Sequence, residues 1–237
     1  KRQVKSMGRP TISAIIEERT NNGEFHSMQD FITRMAGVIN KRTVEHLIFA
    51  GAFDTFGHTR RGMLNVYERM IDSAVKQNKD AISGQMSLFD LVSEEDKQSL
   101  EMKIPDISEF EKEDLLEREK EVLGVYVTGH PLDEYTGMWE KHVSARSTDF
   151  LIDEETGETK AADSTKQTIG GLVRNIKVNT TKTGQQMAYL TIEDFVGSVE
   201  VILFPKAYEK NRRVLDMTNK VFITGLVSYT HLRAHET

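Results

Sequence analysis

The spacing of apolar residues changes along the chain, and this change limits the folds that the chain can adopt. Up to about residue 78 apolar side chains recur at helical intervals, as in Met63, Val66, Tyr67, Met70 and Ala74. From 167 to 226 they alternate with polar residues, which is typical of half-buried strands. The sequence therefore predicts a helical unit followed by a separate β unit.

Residues that start and end helices divide the first unit into four short helices. Pro10 suits a first turn, and Asn40 is a typical N-cap. Ser27 and Asp30 form a capping box, while Gly51 can end the third helix in the left-handed conformation. Because helices this short are not stable alone, we expect all four to pack together.

The middle of the chain has a weaker pattern. Residues 79–107 mix Ser, Gln and acidic residues with little periodicity, which predicts a mobile linker. Residues 108–166 are predicted to form an acidic helical spacer whose helix begins with a capping box of Ser108 and Glu111 and ends at Gly124. We expect a strand at 125–127, a short helix at 131–139 and an exposed loop at 150–165 after it.

The alternating region has the element order of a small barrel. Strands are predicted at 169–178, 187–192, 199–204 and 221–226, with a helix at 206–215. Three meandering strands, a helix and another strand follow the order of an OB-type barrel that lacks its last strand. The predicted fold class is multidomain α + β, with a helical tandem helix-hairpin-helix unit at 1–78, the linker and spacer, and an incomplete OB-fold barrel at 167–226.

The last eleven residues, VSYTHLRAHET at 227–237, resemble the translation of a transposon-type sequencing adaptor. We therefore exclude them from the fold and expect the natural protein to continue beyond Leu226 with another sequence. The alternative is a metal site formed by His231 and His235 at helical spacing. Two histidines without a third ligand are weak support for that alternative.

The net charge of −6 argues against a nucleic-acid binder when the 237 residues are taken together. The charge is unevenly distributed, however. Residues 1–83 carry 13 Lys and Arg against 9 Asp and Glu, 84–168 carry 9 against 22, and 169–226 carry 8 against 5. Two mildly basic segments thus flank an acidic one, and the basic segments are the candidates for contact with phosphate.

Several classes of protein are disfavoured by composition. The chain has no cysteine, so a disulfide framework, a thiolate metal site and a cysteine nucleophile are excluded. It has neither a signal peptide nor an apolar run approaching the roughly 18 residues of a membrane span, and we expect a cytoplasmic protein with no membrane partner. The first residue is not Met, which suggests a fragment.

Two segments resemble helix-hairpin-helix elements, in which backbone N–H groups at a helix start bind a phosphate. The first is VKSMG at 4–8, before the helix at Pro10; the second comprises 41–50, the hairpin at Gly51 and a helix with two arginines. For either copy alone, an ordinary helix C-cap remains an equal alternative. The predicted DNA-contacting residues here are Lys5, Ser6, Gly8, Arg9, Lys41, Arg42, Gly51, Arg60 and Arg61.

The linker contains an apolar island, QMSLF at 85–89. It fits the Q-x-x-L-F peptide by which replication proteins bind the sliding clamp, with Gln85 in a polar site and Leu88 and Phe89 in an apolar pocket. The alternative is a tether that packs on the chain's own surface. The position of an apolar island within a polar linker favours the clamp-binding interpretation.

In the predicted barrel, Arg174, Lys177, Lys182 and Tyr189 are candidates for a face that binds single-stranded nucleic acid. Charge would follow the backbone, and the aromatic ring would stack on a base. Tyr189 alternates with Leu190, so one of the two must face the core, and the sequence leaves open which one.

No catalytic or metal-binding residues are predicted. A polymerase or nuclease needs clustered carboxylates for two Mg²⁺ ions, whereas the acidic residues here are spread over a helix and loops. His130 lies in a Gly-His-Pro run with no recognisable nucleophile or second ligand, and we expect it to be structural.

The order of these segments is similar to that of a known family. INKRTVEHLIFAGAFD at 39–54, QMSLF, EREKEVLGVYVTGHPLDEY at 117–135 and TKTGQQMAYLTIEDFVGSVEVILFP at 181–205 closely resemble the C-terminal third of the bacterial replicative DNA polymerase III alpha subunit of the DnaE type. The resemblance covers residues 1–226, and LGVYVTGHPL is its most specific part.

This resemblance implies a part of a DNA-directed DNA polymerase whose catalytic aspartates, and the Mg²⁺ they bind, lie upstream of Lys1. The fragment itself would need no cofactor. It would bind duplex DNA through the hairpins, single-stranded DNA through the barrel, the beta sliding clamp through Gln85, Leu88 and Phe89, and other subunits of the replicative holoenzyme.

Two other functions remain open from the sequence. A non-catalytic nucleic-acid-binding module of a repair or tRNA-binding protein would have the same architecture without clamp affinity. A protein-interaction scaffold would lack salt-dependent DNA binding.

Overall fold

The computed structural model describes residues 4, 5, 7–82, 102–153 and 156–229. They form two compact units, Lys1–Gly129 and His130–Thr237. The boundary between the two units lies within the predicted spacer at 108–166.

The first unit is helical. Its helices are α1 (Arg9–Asn22), α2 (Met28–Arg34), α3 (Lys41–Phe49), α4 (Arg60–Leu64), α5 (Tyr67–Ile82) and α6 (Lys112–Leu123), with a 3₁₀ turn at Asp54–Phe56. Their core is built mainly from α2 to α5, and its fully buried members include Met28, Ile32, Val44, Ile48 and Met63. α1 has no buried residue and contributes Ala14 and Ile15 to the edge of this core.

The predicted helix starts are confirmed where a side chain caps the backbone. The Ser27 hydroxyl accepts a hydrogen bond from the Asp30 amide at 3.0 Å, and the Asn40 side chain accepts one from the Thr43 amide at 2.8 Å. Gly51 has φ +76° directly after α3, as expected. The predicted fourth helix is two helices, because the chain turns between Leu64 and Tyr67, but its five stripe residues are all buried.

The linker and spacer differ from expectation within the described residues. Residues 79–82 belong to α5, and Met102 and Ile104 pack against the helical core. Ser108 does not cap the following helix, which begins at Lys112 with no side-chain cap. Gly124 ends that helix at φ +75°, as predicted.

The expected strand at 125–127 is absent. The amides of Val127 and Thr128 donate to the buried Glu119 carboxylate at 2.9 and 3.0 Å, so they are not available to a neighbouring strand. A segment without a partner strand must satisfy its backbone amides in another way, and here the Glu119 carboxylate accepts from two of them.

The second unit contains a four-stranded antiparallel sheet. Its strands are β1 (Lys166–Thr180), β2 (Gln186–Glu193), β3 (Ser198–Leu203) and β4 (Lys220–Leu226), in the order β3-β2-β1-β4. Each strand end lies within three residues of its predicted position. The sheet curls into a half-barrel consistent with an OB-fold, around a core of Ile169, Val173, Ala188, Leu190 and Ile192.

Two helices and two short turns complete this unit. They are α7 (Thr136–His142), α8 (Pro205–Asn211) and the 3₁₀ turns Asp133–Tyr135 and Ser147–Phe150. α8 lies between β3 and β4 as predicted but ends earlier than expected. Among the described residues, no helix is both long and apolar enough to cross a membrane.

Candidate nucleic-acid interface

The first hairpin holds the start of α1 at the surface. The backbone of Lys5 is fixed at both ends: its N–H donates to the Val122 carbonyl at 2.9 Å, and its carbonyl lies 2.8 Å from Nδ1 of His46. Gly8 is the N-cap of α1, and Pro10 stands in its first turn. Because Gly8 has no side chain to cap the helix, the start of α1 lacks this internal cap.

Positive side chains surround this helix start. Lys5, Gly8 and Arg9 are exposed, and Ser6 lies outside the described residues. Arg42 is exposed on α3, one turn before His46, so it lies on the face of α3 that meets the hairpin. N–H groups at the positive end of a helix dipole and nearby cations suit a phosphate.

Lys41 is held by α5. Its ammonium lies 3.1 Å from Asp72 and 3.3 Å from Glu68. The hydrogen bonds to these two carboxylates raise the pKa of Lys41. The predicted DNA contact of Lys41 therefore competes with two internal partners.

The second hairpin is organised around Arg60, which is only 3% exposed. Its guanidinium donates to both carboxylate oxygens of Asp54, at 2.9 and 2.6 Å, and to the Phe49 carbonyl at 2.9 Å. It also lies 3.8 Å from the fully buried Glu119. These contacts correct the prediction that Arg60 binds DNA, because its donors serve the hairpin itself.

The protonation of Arg60 follows from the same partners. Burial lowers the pKa of its guanidinium, but the hydrogen bonds and charge of Asp54, with the charges of Glu119 and Glu109, outweigh burial and raise the pKa overall. The residue is a permanent internal cation.

The close packing of this hairpin explains why residue 51 is a glycine. A Cβ at Gly51 would lie 2.3 Å from Nη2 of Arg60 and 2.8 Å from a carboxylate oxygen of Asp54. The groups that approach Gly51 closely are therefore the side chains of Arg60 and Asp54. Contact of Gly51 with DNA stays a prediction.

The start of α4 is occupied by a carboxylate from elsewhere in the chain. Glu109 accepts from the Arg60 amide at 2.6 Å and from the Arg61 amide at 3.1 Å, and the Thr59 hydroxyl accepts from the Gly62 amide at 3.0 Å. The Arg61 side chain is exposed, but its backbone amide is engaged.

The outer face of the barrel sheet brings two predicted residues together. Lys177 on β1 lies directly opposite Tyr189 on β2, and their neighbouring pairs are Asn175 with Thr191 and Asn179 with Met187. Leu190 is fully buried in the core, so Tyr189 is on the outer face. The alternative that the sequence left open is thereby decided.

The other two predicted barrel residues differ from each other. Lys182 is exposed in the turn between β1 and β2, close in sequence to Lys177. Arg174, at a bulge in β1, is held by the Glu193 carboxylate with 18% of its side chain exposed. The basic part of the face therefore extends from Lys177 towards the turn.

Some predicted residues have no direct place in this interface. His130 accepts a hydrogen bond from the Leu132 amide through Nδ1 at 3.1 Å, and its ring lies 4.8 Å from that of Phe195. The described part of the chain contains no cluster of three metal-ligating side chains. Gln85, Leu88 and Phe89 lie outside the described residues, as do His231 and His235.

Known proteins match both regions and the chain as a whole. A model described as a helix-hairpin-helix motif matches residues 2–63, and one described as an OB-fold nucleic acid binding domain matches 167–234. DNA polymerase III subunit alpha of Vibrio cholerae is 32% identical over 227 residues, and that of Saccharopolyspora erythraea is 33% identical over 230 residues. The Borreliella burgdorferi subunit is 31% identical over 228 residues.

Over 95% of its length the chain is similar to alpha subunits of DNA polymerase III. Each of these three matches covers 95% of the chain but 19% of the relative, so the chain spans about a fifth of the length of the curated relatives. The two matched regions contain the basic side chains that the sequence predicts to contact DNA.

Two residues that shape the hairpins were missed by sequence reasoning. Glu109 blocks the amides of Arg60 and Arg61, and His46 anchors the first hairpin through Lys5. Neither residue stands in a local pattern that signals its partner, since 48 and 41 positions separate the bonded residues Arg61–Glu109 and Lys5–His46. Only the folded chain identifies them.

Proposed function

We propose that this chain is a DNA-binding part of a replicative polymerase alpha subunit, which positions DNA for template-directed synthesis. Nucleotidyl transfer and its Mg²⁺ belong to other parts of the longer protein, and this chain needs no cofactor. The observation that carries the proposal is the start of α1, which has no side-chain cap and lies beside exposed Lys5 and Arg9 in a region matched by a helix-hairpin-helix model.

The duplex is proposed to contact the first hairpin through its phosphates. The backbone of Lys5 is restrained by two hydrogen bonds, which lowers the ordering entropy that opposes binding at this residue. The contact is sequence-independent, because it involves phosphate oxygens and not base edges. A sequence-independent grip suits a polymerase that must move along any template.

Single-stranded DNA is proposed to contact the outer face of β1 and β2. Tyr189 offers a stacking surface for a base, and Lys177 beside it offers charge to the backbone. Glu200 on β3 lies opposite Thr191 on β2. Its negative charge disfavours phosphate at that end of the face. The strand would follow Lys177 towards Lys182.

The duplex contact can be tested by measuring the anisotropy of a labelled duplex against salt concentration. Lys5→Ala and Arg9→Ala should each lower the affinity and reduce the slope of log K against log salt by about 1. Arg19→Ala is the matched control, since Arg19 is an exposed arginine in the last turn of the same helix. An unchanged slope in both hairpin variants would overturn the proposed contact.

The single-strand contact has its own test. Tyr189→Ala should weaken binding of an oligothymidine by about 1 to 3 kcal/mol while leaving duplex binding unchanged. Tyr135→Ala is the control, because Tyr135 is an exposed tyrosine of the same unit outside the β1–β2 face. Equal losses in both variants would contradict a specific stacking role.

We further propose that Gln85, Leu88 and Phe89 bind a sliding clamp, and that the chain works in the cytoplasm with other replicative subunits. A peptide of residues 80–93 should bind a bacterial clamp, and the double variant Leu88→Ala, Phe89→Ala should abolish binding. Undiminished binding would refute the motif. Absence of clamp affinity in the full chain would favour the alternative of a non-catalytic repair or tRNA-binding module.

A further inference from the structure

The amides of the first four residues of α4 all have acceptors within the chain. The amides of Arg60 and Arg61 donate to the two carboxylate oxygens of Glu109, the Gly62 amide donates to Thr59, and the Met63 amide donates to the Thr59 carbonyl at 3.0 Å. A helix start normally leaves its first amides for water or a ligand. In the second hairpin all of them are satisfied from within the chain.

The segment that carries Glu109 is fastened beside the hairpin at several points. The Thr59 hydroxyl donates to the Ile107 carbonyl at 3.0 Å, and the side chain of Ile104 packs against the helical core. A Cβ at Gly62 would lie 2.7 Å from the Pro105 carbonyl, so Gly62 allows this segment to approach the helix closely. The carboxylate is therefore held in place by its neighbours and by its own hydrogen bonds.

Acidic side chains also lie at and beside the second hairpin, where the Arg61 side chain is exposed as well. Asp54 is 44% exposed at the same hairpin, and Asp106 and Glu111, which flank Glu109 in the chain, are exposed. The guanidinium of Arg60, which would offset them, is buried and directed inward. The first hairpin presents Lys5 and Arg9 instead.

We propose that Glu109 is an internal substitute for phosphate, which makes the helical unit contact duplex DNA through the first hairpin alone. This inference rests on the proposed DNA-binding function. It assigns to Glu109 the role of excluding DNA from the second hairpin, although both hairpins lie in or beside the region matched by the helix-hairpin-helix model. The duplex is held at one point by this unit.

Two measurements on the full chain test the proposal. In the first, the ¹⁵N-labelled chain is titrated with a short duplex, and the amide resonances of the two hairpins are followed. The amides of Arg9 and Thr11 should shift, and those of Arg60, Arg61 and Gly62 should not. Shifts at Arg60 and Arg61 would overturn this inference alone, whereas absence of shifts at both hairpins would overturn the proposed function and this inference with it.

The second measurement does not depend on DNA. In Glu109→Ala the amides of Arg60 and Arg61 should exchange with deuterium at least about tenfold faster, which corresponds to the loss of one hydrogen bond of about 1.4 kcal/mol. Asp106→Ala is the matched control, since it removes a neighbouring exposed carboxylate and should leave the exchange unchanged. Equal exchange in Glu109→Ala and the unaltered chain would refute the role of Glu109.

Discussion

The two hairpins of the helical unit differ in what occupies the start of the helix that follows. At the first, Gly8 precedes a 14-residue helix with no side-chain cap, and exposed basic residues surround it. At the second, Thr59 and Glu109 satisfy the amides of a five-residue helix, and the nearby arginine is buried. The start of α1 lies beside exposed basic side chains. The amides at the start of α4 are bonded within the helical unit.

The difference shows that a hairpin glycine followed by basic residues is compatible with two opposite uses. In the second hairpin the absence of a side chain at Gly51 leaves space for Arg60. The Arg60 guanidinium donates to Phe49 and Asp54 and lies 3.8 Å from Glu119. In the first, Gly8 provides no side-chain cap for the helix that follows. Substitutions that separate stability from DNA binding can test this contrast.

The largest effect is expected for Arg60→Ala. It leaves Glu119 buried without its nearby cation and removes the hydrogen bonds to Asp54 and Phe49, so we expect the free energy of unfolding to fall by about 3 to 5 kcal/mol. Urea denaturation of the chain measures it. Arg61→Ala, an exposed neighbour, should change stability by less than about 0.5 kcal/mol. Similar small losses in both variants would contradict the structural role of Arg60.

A smaller loss is expected for Gly51→Ala, at roughly 2 to 3 kcal/mol, because the new methyl group combines backbone strain at positive φ with a clash against Arg60. Gly57→Ala measures the cost of backbone strain alone, which we expect to be about 1 to 2 kcal/mol. Gly57 has φ +77°, and a Cβ there would meet no atom within 4 Å. Thermal unfolding of both variants compares them. A Gly51→Ala loss no larger than that of Gly57→Ala would show that the close approach of Arg60 is unimportant.

For Thr59→Ala we expect a loss of about 1 kcal/mol, because the variant removes the cap of α4 and the hydrogen bond to Ile107. Thr59→Ser keeps the hydroxyl and should retain most of the stability. Urea denaturation can resolve the two. If the serine variant lost as much as the alanine variant, the hydroxyl would not be the stabilising group.

The smallest effect at neutral pH concerns Tyr67, at the start of α5. Burial, aided by the charges of Glu45 and Glu68, raises the pKa of Tyr67 to about 12 from 10.0. Because the folded state holds this proton more tightly, stability is unaffected below about pH 10 and decreases as the pH rises towards 12. Tyrosinate absorbance should show one late-titrating tyrosine, and Tyr67→Phe should remove it. Loss of an early-titrating tyrosine instead would contradict the assignment.

The sequence predicted elements whose determinants are local. Ser27 and Asn40 cap the helices that follow them, and Gly51 ends α3, because each interaction spans only a few residues. The strand β2 was found because one buried face imposes alternation of buried and less buried residues along it. The expected strand at 125–127 was wrong because the amides of Val127 and Thr128 bind Glu119, which no strand pattern reveals.

The sequence by itself therefore determined the type and order of most elements, the two basic segments and the resemblance to DNA polymerase III alpha subunits, because periodicity, caps and motifs are local properties of the chain. Only the tertiary structure decided that Tyr189 faces outward and Leu190 inward, and that Arg60 is internal. It also placed Glu109 on the amides of the second hairpin. These outcomes depend on contacts between residues far apart in sequence, whose geometry is set by packing of the whole unit.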